Sequence, residues 1–234
     1  MMNLKYLFFS LRPKQWVKNF FIFLPLIFGK KLFTTPTNLK SVGAFFLFSI
    51  TAGVVYLIND ILDIEKDRLH PTKRLRPFAS GKLNKKQALV TICILGIGSL
   101  VFSLMLDMYF FWVVVAYLIF NFIYSKFLKE LVIIDVFCIG GFFLLRVVAG
   151  TAIAKVEFSY WMIFMTVFLA LFLGFNKRRQ ELKSFEREAS LYRSVLTKYN
   201  AYFIDQMIAV ITSSIVVVYM LYTVDKRTVS YFGT

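Results

Sequence analysis

Asp60, Asp63 and Asp67 recur at three and four residues within NDILDIEKDRLHPTKRLRP (59–77), and Lys73, Arg74 and Arg76 follow closely. At about 100° per helical residue, Asp63 lies near −60° and Asp67 near −20° from Asp60. Tyr56 lies near −40°, whereas Glu65 falls near 140°, on the other side. The three acids and Tyr56 therefore form a stripe. Carboxylates and the Asn59 amide are hard oxygen donors. Mg²⁺ usually takes one or two carboxylates, keeps waters, and completes its shell with substrate phosphates. Asn59 and Asp63, one turn apart, can share one ion. Pro71 and Pro77 bracket the basic residues and discourage a continuing helix. A constrained loop carrying guanidinium and ammonium groups suits a polyphosphate. The plain alternative is a water-exposed helix end, its acids balanced by Lys66 and Arg68 and its basic loop set by membrane topology.

The elements that must hold this stripe are apolar. The chain has 234 residues, 59% apolar and 18% charged. Soluble domains sit near 45–50% apolar and about 25% charged. Spans are expected at 20–34, 41–62, 87–106, 108–127, 131–153, 159–176 and 203–223. Their backbone must be satisfied internally, and the apolar runs do not alternate, so they read as helices and not as a barrel. The expected fold class is all-α: a polytopic transmembrane helical bundle forming a single domain over 1–234. Residues 3–18 read as an amphipathic interfacial helix with Trp16 at headgroup depth. Leu182, Phe185, Ala189, Tyr192, Leu196 and Tyr199 recur at helical spacing. They suggest a second interfacial helix, with Lys183, Glu186, Arg187 and Arg193 on its solvated face.

The formal net charge is +15. It fits attraction to anionic membrane lipids, an anionic substrate, or both. The basic residues lie in short interhelical loops without a nucleic-acid-binding motif, so no nucleic-acid partner is expected. With the N-terminus in the cytoplasm, 21 of the 28 Lys and Arg fall on the cytoplasmic side and 6 on the other, with Arg146 inside a span. This bias places loops 63–86, 126–130 and 177–202 in the cytoplasm. His70 is the only histidine, which excludes a histidine-based metal cluster. Cys93 and Cys138 fall in apolar runs and read as packing residues. The N-terminal stretch lacks a small-residue signal-cleavage site.

The motif N-D-x-x-D-x-x-x-D (59–67) at the end of the second span resembles the first motif of the UbiA prenyltransferase superfamily. LRPKQWVKN (11–19), DRLHPTKRLRPFASG (67–81), YSKFLKELVIIDV with LRVVAG (124–150) and NKRRQEL (176–182) narrow the likeness. Together they are similar to the decaprenyl-phosphate phosphoribosyltransferase branch, over essentially the whole chain. That branch uses phosphoribosyl pyrophosphate (PRPP) in place of a prenyl diphosphate. The resemblance implies a multi-pass enzyme of the bacterial cytoplasmic membrane, its site facing the cytoplasm. Such an enzyme moves 5-phosphoribose from PRPP to a polyprenyl phosphate, releases pyrophosphate, inverts at C1, and feeds cell-wall precursor synthesis in mycobacteria-like relatives. A homo-oligomer is compatible with it.

The roles implied are these. Asn59, Asp60, Asp63 and Asp67 hold Mg²⁺, with Mn²⁺ as the alternative ion. Asp63, Asp67 and Lys73 are the catalytic groups. Lys18, Tyr56, Lys73, Arg74, Arg76, Tyr124, Lys129, Asp135, Arg146, Lys177 and Arg178 bind substrate. Lys14 reads equally as a headgroup contact. Asp135 and Arg146 are about 20° apart on one helix face, and a charge as deep as Arg146 must face a cavity or a partner. Two departures stand out. The second D-x-x-x-D stripe of prenyl-diphosphate members is missing, since Ile139 follows Asp135. The family has nine transmembrane helices against the seven read here, as a C-terminally truncated member would show. The rival readings are an aromatic prenyltransferase using a prenyl diphosphate, and a non-catalytic lipid or ion transporter.

Overall fold

A computed structural model of the chain describes residues 4–69, 71–184 and 199–233. Among these residues every regular element is helical. In chain order they are α1 (Leu4–Ser10), a 3₁₀ segment (Pro13–Phe23), α2 (Leu24–Phe28), α3 (Thr37–Leu62), α4 (Ile64–Leu69) and a 3₁₀ turn (Lys73–Leu75). There follow α5 (Lys85–Leu106), α6 (Met108–Ile123), a π turn (Tyr124–Leu128), α7 (Ile134–Ala154), α8 (Tyr160–Ser184), α9 (Ala201–Val224) and α10 (Lys226–Phe232). Six helices are long and apolar enough to cross a membrane: α3, α5, α6 with its π turn, α7, α8 and α9. The protein is a multi-pass membrane helical bundle. The span expected at 20–34 is built differently, from the end of the 3₁₀ segment and the five-residue α2.

The N-terminal interfacial helix expected over 3–18 is broken at Arg12, which takes the left-handed conformation (φ 53°, ψ 61°). The reason is local. Pro13 follows, and a proline disfavours the right-handed helical region for the residue before it. The expected interfacial helix at 182–199 falls mostly on 185–198, and these residues and His70 of the HPTKR string lie outside the described residues. α8 itself runs on to Ser184.

The chain divides into two compact units: Met1–Ser125 with Leu145–Val156, and Lys126–Leu144 with Glu157–Thr234. In the first, the 3₁₀ segment and α5 pack on α3, and α6 packs on α3 and α5. The final part of α7 closes on the 3₁₀ segment at Gly150, where a Cβ would collide with the Ile22 carbonyl. The first unit has an apolar cluster of Leu57, Ile64, Phe78, Leu83 and Ala88. In the second unit, α8 and α9 pair lengthwise, and Val136, Leu171, Phe175, Tyr199, Ile204 and Ile211 form the core. Gly174 allows α8 to approach Val136, whose Cγ1 would lie 2.7 Å from an added Cβ.

Candidate active site

The acidic stripe begins on α3 and crosses a bend. α3 ends at Leu62, and Asp63 caps it with φ −98° and ψ 12°. The hydrogen-bond ladder nevertheless carries on: Asp63 N–H donates to Asn59 O at 2.9 Å, and Asp67 N–H to Asp63 O at 2.8 Å. The helical phase is kept closely enough that Asp60 and Asp67 still meet a common partner. Asp60 is only 2% exposed. A carboxylate so buried needs paired charge and hydrogen bonds. It receives both: the Arg12 guanidinium donates to Oδ1 through Nη2, and Arg76 Nη1 donates to the same oxygen at 3.1 Å. Arg76 Nη1 also donates to Asp67 Oδ2 at 2.7 Å. Two arginines from two segments thus converge on one buried acid.

Each arginine arrives for an identifiable reason. Gly53, Tyr56 and Asp60 share one face of α3 at i, i+3 and i+7. The Leu11–Arg12 turn rests on Gly53, where a Cβ would meet Leu11 Cδ2 at 2.8 Å and the Leu11 carbonyl oxygen at 3.3 Å. Seated there, the Arg12 guanidinium stacks over Tyr56, 4.6 Å from its ring centroid, with Asp60 one turn beyond. Arg76 is delivered by the basic loop. Phe78 and Leu83 pin that loop into the cluster with Leu57 and Ile64. Arg76 N–H donates to Lys73 O at 2.9 Å, and Leu83 N–H closes on Pro77 O at 3.1 Å. Asn84 then caps α5, its side chain accepting from Lys86 N–H at 3.0 Å.

Of the other expected site residues in this unit, Asn59 accepts from Ser125 Oγ at 3.1 Å. Asp63, Tyr56, Lys73 and Tyr124 are half-buried, while Lys18 and Arg74 are exposed. Arg146 is buried beside a neutral partner: Nε donates to Asn19 Oδ1 at 2.7 Å, and Asn19 Nδ2 donates to Ser49 Oγ at 2.8 Å. Its guanidinium carbon lies 5.3 Å from the ring centroids of both Phe48 and Tyr117. The donor chemistry at 59–67 fits Mg²⁺. Asn59, Asp63 and Asp67 offer hard oxygens, while Asp60 is taken up by two guanidinium groups. Among the described residues no three acidic, histidine or cysteine side chains gather closely enough to hold an ion. Substrate oxygens would have to complete the shell, as Mg²⁺ sites commonly arrange.

The second unit holds Asp135 and Arg178, which are 0% and 1% exposed. Arg178 Nε donates to Asp135 Oδ2 at 2.9 Å, and its Nη1 pairs with Glu181 one turn along α8. Tyr199 Oη donates to Asp135 Oδ1 at 2.6 Å and accepts from Ile133 N–H at 2.7 Å. Burial, and next the bond to the Asp135 carboxylate, push the Tyr199 hydroxyl well above the ordinary phenol range. Ile133 has φ 69°, rare for a β-branched residue, and the Tyr199 bond holds its amide there. Lys177 is exposed, 4.0 Å from Glu181 Oε1, and Lys129 is half-buried.

Arg12, Asn19, Glu181 and Tyr199 were not among the sequence candidates for the site. Glu181, three residues from Arg178, carried a usable spacing signal. Arg12 and Asn19 stood in LRPKQWVKN (11–19), a stretch that carries the family likeness, though nothing in it singled them out. Tyr199 carried only its helical spacing with Leu182, Phe185, Ala189, Tyr192 and Leu196.

The UbiA prenyltransferase family matches residues 22–180. A decaprenyl-phosphate phosphoribosyltransferase of Mycobacterium tuberculosis is 32% identical over 93% of this chain and 73% of its own length. Its counterpart in Corynebacterium glutamicum is 33% identical over 92% of this chain and 66% of its own. The structure of a UbiA homolog from Archaeoglobus fulgidus bound to GPP and Mg²⁺ superposes with a TM-score of 0.77 at 18% identity. That match covers 97% of this chain and 82% of the other.

Proposed function

Because the chain belongs to the UbiA prenyltransferase family, and is on that ground a membrane-embedded transferase, we propose that it moves 5-phosphoribose from PRPP to a polyprenyl phosphate. The observation that carries this reading is the Arg76 bridge between Asp60 and Asp67, which brings the basic loop onto the acidic face. Relatives named for the same reaction favour PRPP over a prenyl diphosphate. So does the missing second aspartate stripe, with Ile139 four residues after Asp135.

Asn59, Asp63 and Asp67 would hold Mg²⁺, which when bound offsets charge on the leaving pyrophosphate. The protein's own groups do the rest. Arg76 and Lys73 present donors to phosphate oxygens and stabilise charge that grows as the C1–O bond breaks. The transition state has oxocarbenium character, as in other glycosyl transfers. An oxygen of the polyprenyl phosphate attacks C1 from the opposite face, so the new C1–O bond inverts the centre. A phosphate monoester is largely dianionic at neutral pH, with a second pKa of about 6, so no strong general base is required. The excess of Lys and Arg in the loops bearing these groups supports a site that faces the cytoplasm, in a bacterial inner membrane.

The test is transfer of label from PRPP to polyprenyl phosphate by purified protein in detergent, for wild type and Asp63→Asn. Turnover that collapses in the variant is expected. Full activity in Asp63→Asn would remove the metal role. Product from 4-hydroxybenzoate and a prenyl diphosphate, with none from PRPP, would assign an aromatic prenyltransferase instead.

A further inference from the structure

We propose that Asp60 is not a metal ligand but the anchor of a two-arginine fork, and that Arg12 is a further phosphate-binding residue of the donor site. The identity of the anion rests on the donor reading above; the fork itself rests on geometry.

Arg12 and Arg76 come from segments on either side of α3 in sequence and meet on the single oxygen Oδ1 of Asp60. The Asp60 side chain is 3% exposed, while the two arginine side chains are 27% and 29% exposed. The acid is therefore sealed behind the bases, and the bases form the accessible surface. Taking the guanidinium groups away from so buried a carboxylate to admit a hydrated dication would carry the penalty of breaking a buried ion pair. The value of the acid is in fixing where two positive forks stand.

The forks are also largely unspent. A guanidinium has five N–H donors. Arg12 uses Nη2 on Asp60 and its face on Tyr56. Among the described residues, Arg76 uses Nη1, shared between Asp60 and Asp67. Both keep further N–H groups in partly open positions beside a row of carboxylates. Asp60 and Asp67 together balance the two guanidinium charges, so what the fork offers an anion is its remaining N–H donors and not surplus charge. Planar forks match phosphate oxygens in pairs, which a lysine does not. Arg12 has its rotamer set in advance by the Tyr56 face and by the Leu11 turn on Gly53. That reduces the entropy lost when it takes up a ligand. The ligand class is a phosphate oxyanion, and we assign it to the diphosphate of the soluble donor.

The experiment measures binding of inorganic pyrophosphate by calorimetry, with EDTA present, to protein in phosphatidylcholine nanodiscs. Wild type is compared with Arg12→Gln, Arg12→Lys, Asp60→Asn and the double variant Arg12→Gln/Asp60→Asn. Mn²⁺ binding, read by paramagnetic resonance, is measured on the same samples. The expected result is about a tenfold or larger loss of pyrophosphate affinity in Arg12→Gln, the scale of one charge-assisted hydrogen bond. Arg12→Lys should recover only part of it. Asp60→Asn should weaken pyrophosphate binding, lose little more when combined with Arg12→Gln, and leave Mn²⁺ affinity within about twofold.

Wild-type pyrophosphate affinity in Arg12→Gln, absence of pyrophosphate binding to wild type, or loss of Mn²⁺ binding in Asp60→Asn would each overturn the proposal. Repeating the titration in phosphatidylglycerol nanodiscs separates the two phosphate sources. Equal affinity supports the soluble diphosphate, and strong competition would reassign the fork to a lipid headgroup. PRPP turnover is scored separately. Fork-dependent pyrophosphate binding without turnover would sink the reaction but keep the fork, and turnover indifferent to Arg12 would do the reverse.

Discussion

Arg178 Nε lies 2.9 Å from Asp135 Oδ2, and neither side chain is open to solvent. Removing one member of such a pair leaves an uncompensated buried charge, at a cost of about 3–5 kcal/mol. Arg178→Met is expected to lower the thermal unfolding midpoint in detergent strongly. Asp135→Leu combined with Arg178→Met should recover part of the loss, because it removes the unpaired buried charge while leaving Tyr199 and Glu181 without these partners. A double variant as unstable as the worse single one would contradict this.

Tyr199 adds a pH dependence to the same pair. Its hydroxyl is pushed up by burial and then by Asp135. The folded pKa lies above the unfolded value near 10, so the stabilisation is fully present below about pH 10 and fades as pH rises toward the folded value. Tyr199→Phe should therefore cost about 1–3 kcal/mol, equally at pH 6 and pH 9. The gap to wild type should narrow only in strong alkali. Unfolding midpoints over a pH series decide it, and a gap that changes between pH 6 and 9 would be the wrong result.

Gly53 is where the Leu11–Arg12 turn touches α3. Gly53→Ala places a methyl 2.8 Å from Leu11 Cδ2, so the turn must shift. Overpacking of this kind costs about 1–3 kcal/mol, and it displaces Arg12. The expected outcome is a several-fold rise in donor KM beyond any loss of stability. Gly98→Ala is the control. It meets nothing within 4 Å and should stabilise its helix by up to about 1 kcal/mol. Equal KM values in the two variants would disconnect Gly53 from the site.

Chelation should abolish turnover, and Mg²⁺ should restore it. Asp63→Asn is expected to raise the Mg²⁺ concentration for half-maximal activity roughly tenfold or more; loss of even a supporting group costs metal sites 10–100-fold. Asp60→Asn should leave that concentration nearly unchanged and raise donor KM instead. A reversed pattern would make Asp60 the ligand.

Arg146 depends on Asn19 for its buried acceptor at 2.7 Å. Asn19→Ala should cost about 1.5–3 kcal/mol, the range for hydrogen bonds to charged groups, measured as the drop in unfolding midpoint. No change would mean that the guanidinium's other contacts, the Phe48 and Tyr117 rings among them, hold it without Asn19.

How much of this was legible in the chain follows from the range of each interaction. The acid stripe was readable because Asp60, Asp63 and Asp67 are set by helical period, and the ladder continues through the Asp63 bend. The apolar spans were readable because length and hydropathy alone decide what can lie in a bilayer. The N-terminal segment is not the one helix its spacing suggests, since amphipathic spacing carries through Pro13 while the backbone turns left-handed at Arg12.

Sequence alone determined which residues could offer oxygen donors, which loop carried the positive charge, and which stretches had to be helical. These are properties of composition and of contacts within a few residues. Tertiary structure decided who neutralises whom. Asp60 is claimed by Arg12, 48 positions away, and Arg146 by Asn19, 127 positions away. Those partners are chosen by close approach at Gly53 and Gly150 and by the burial that forces each charge to find a mate, neither of which local periodicity encodes.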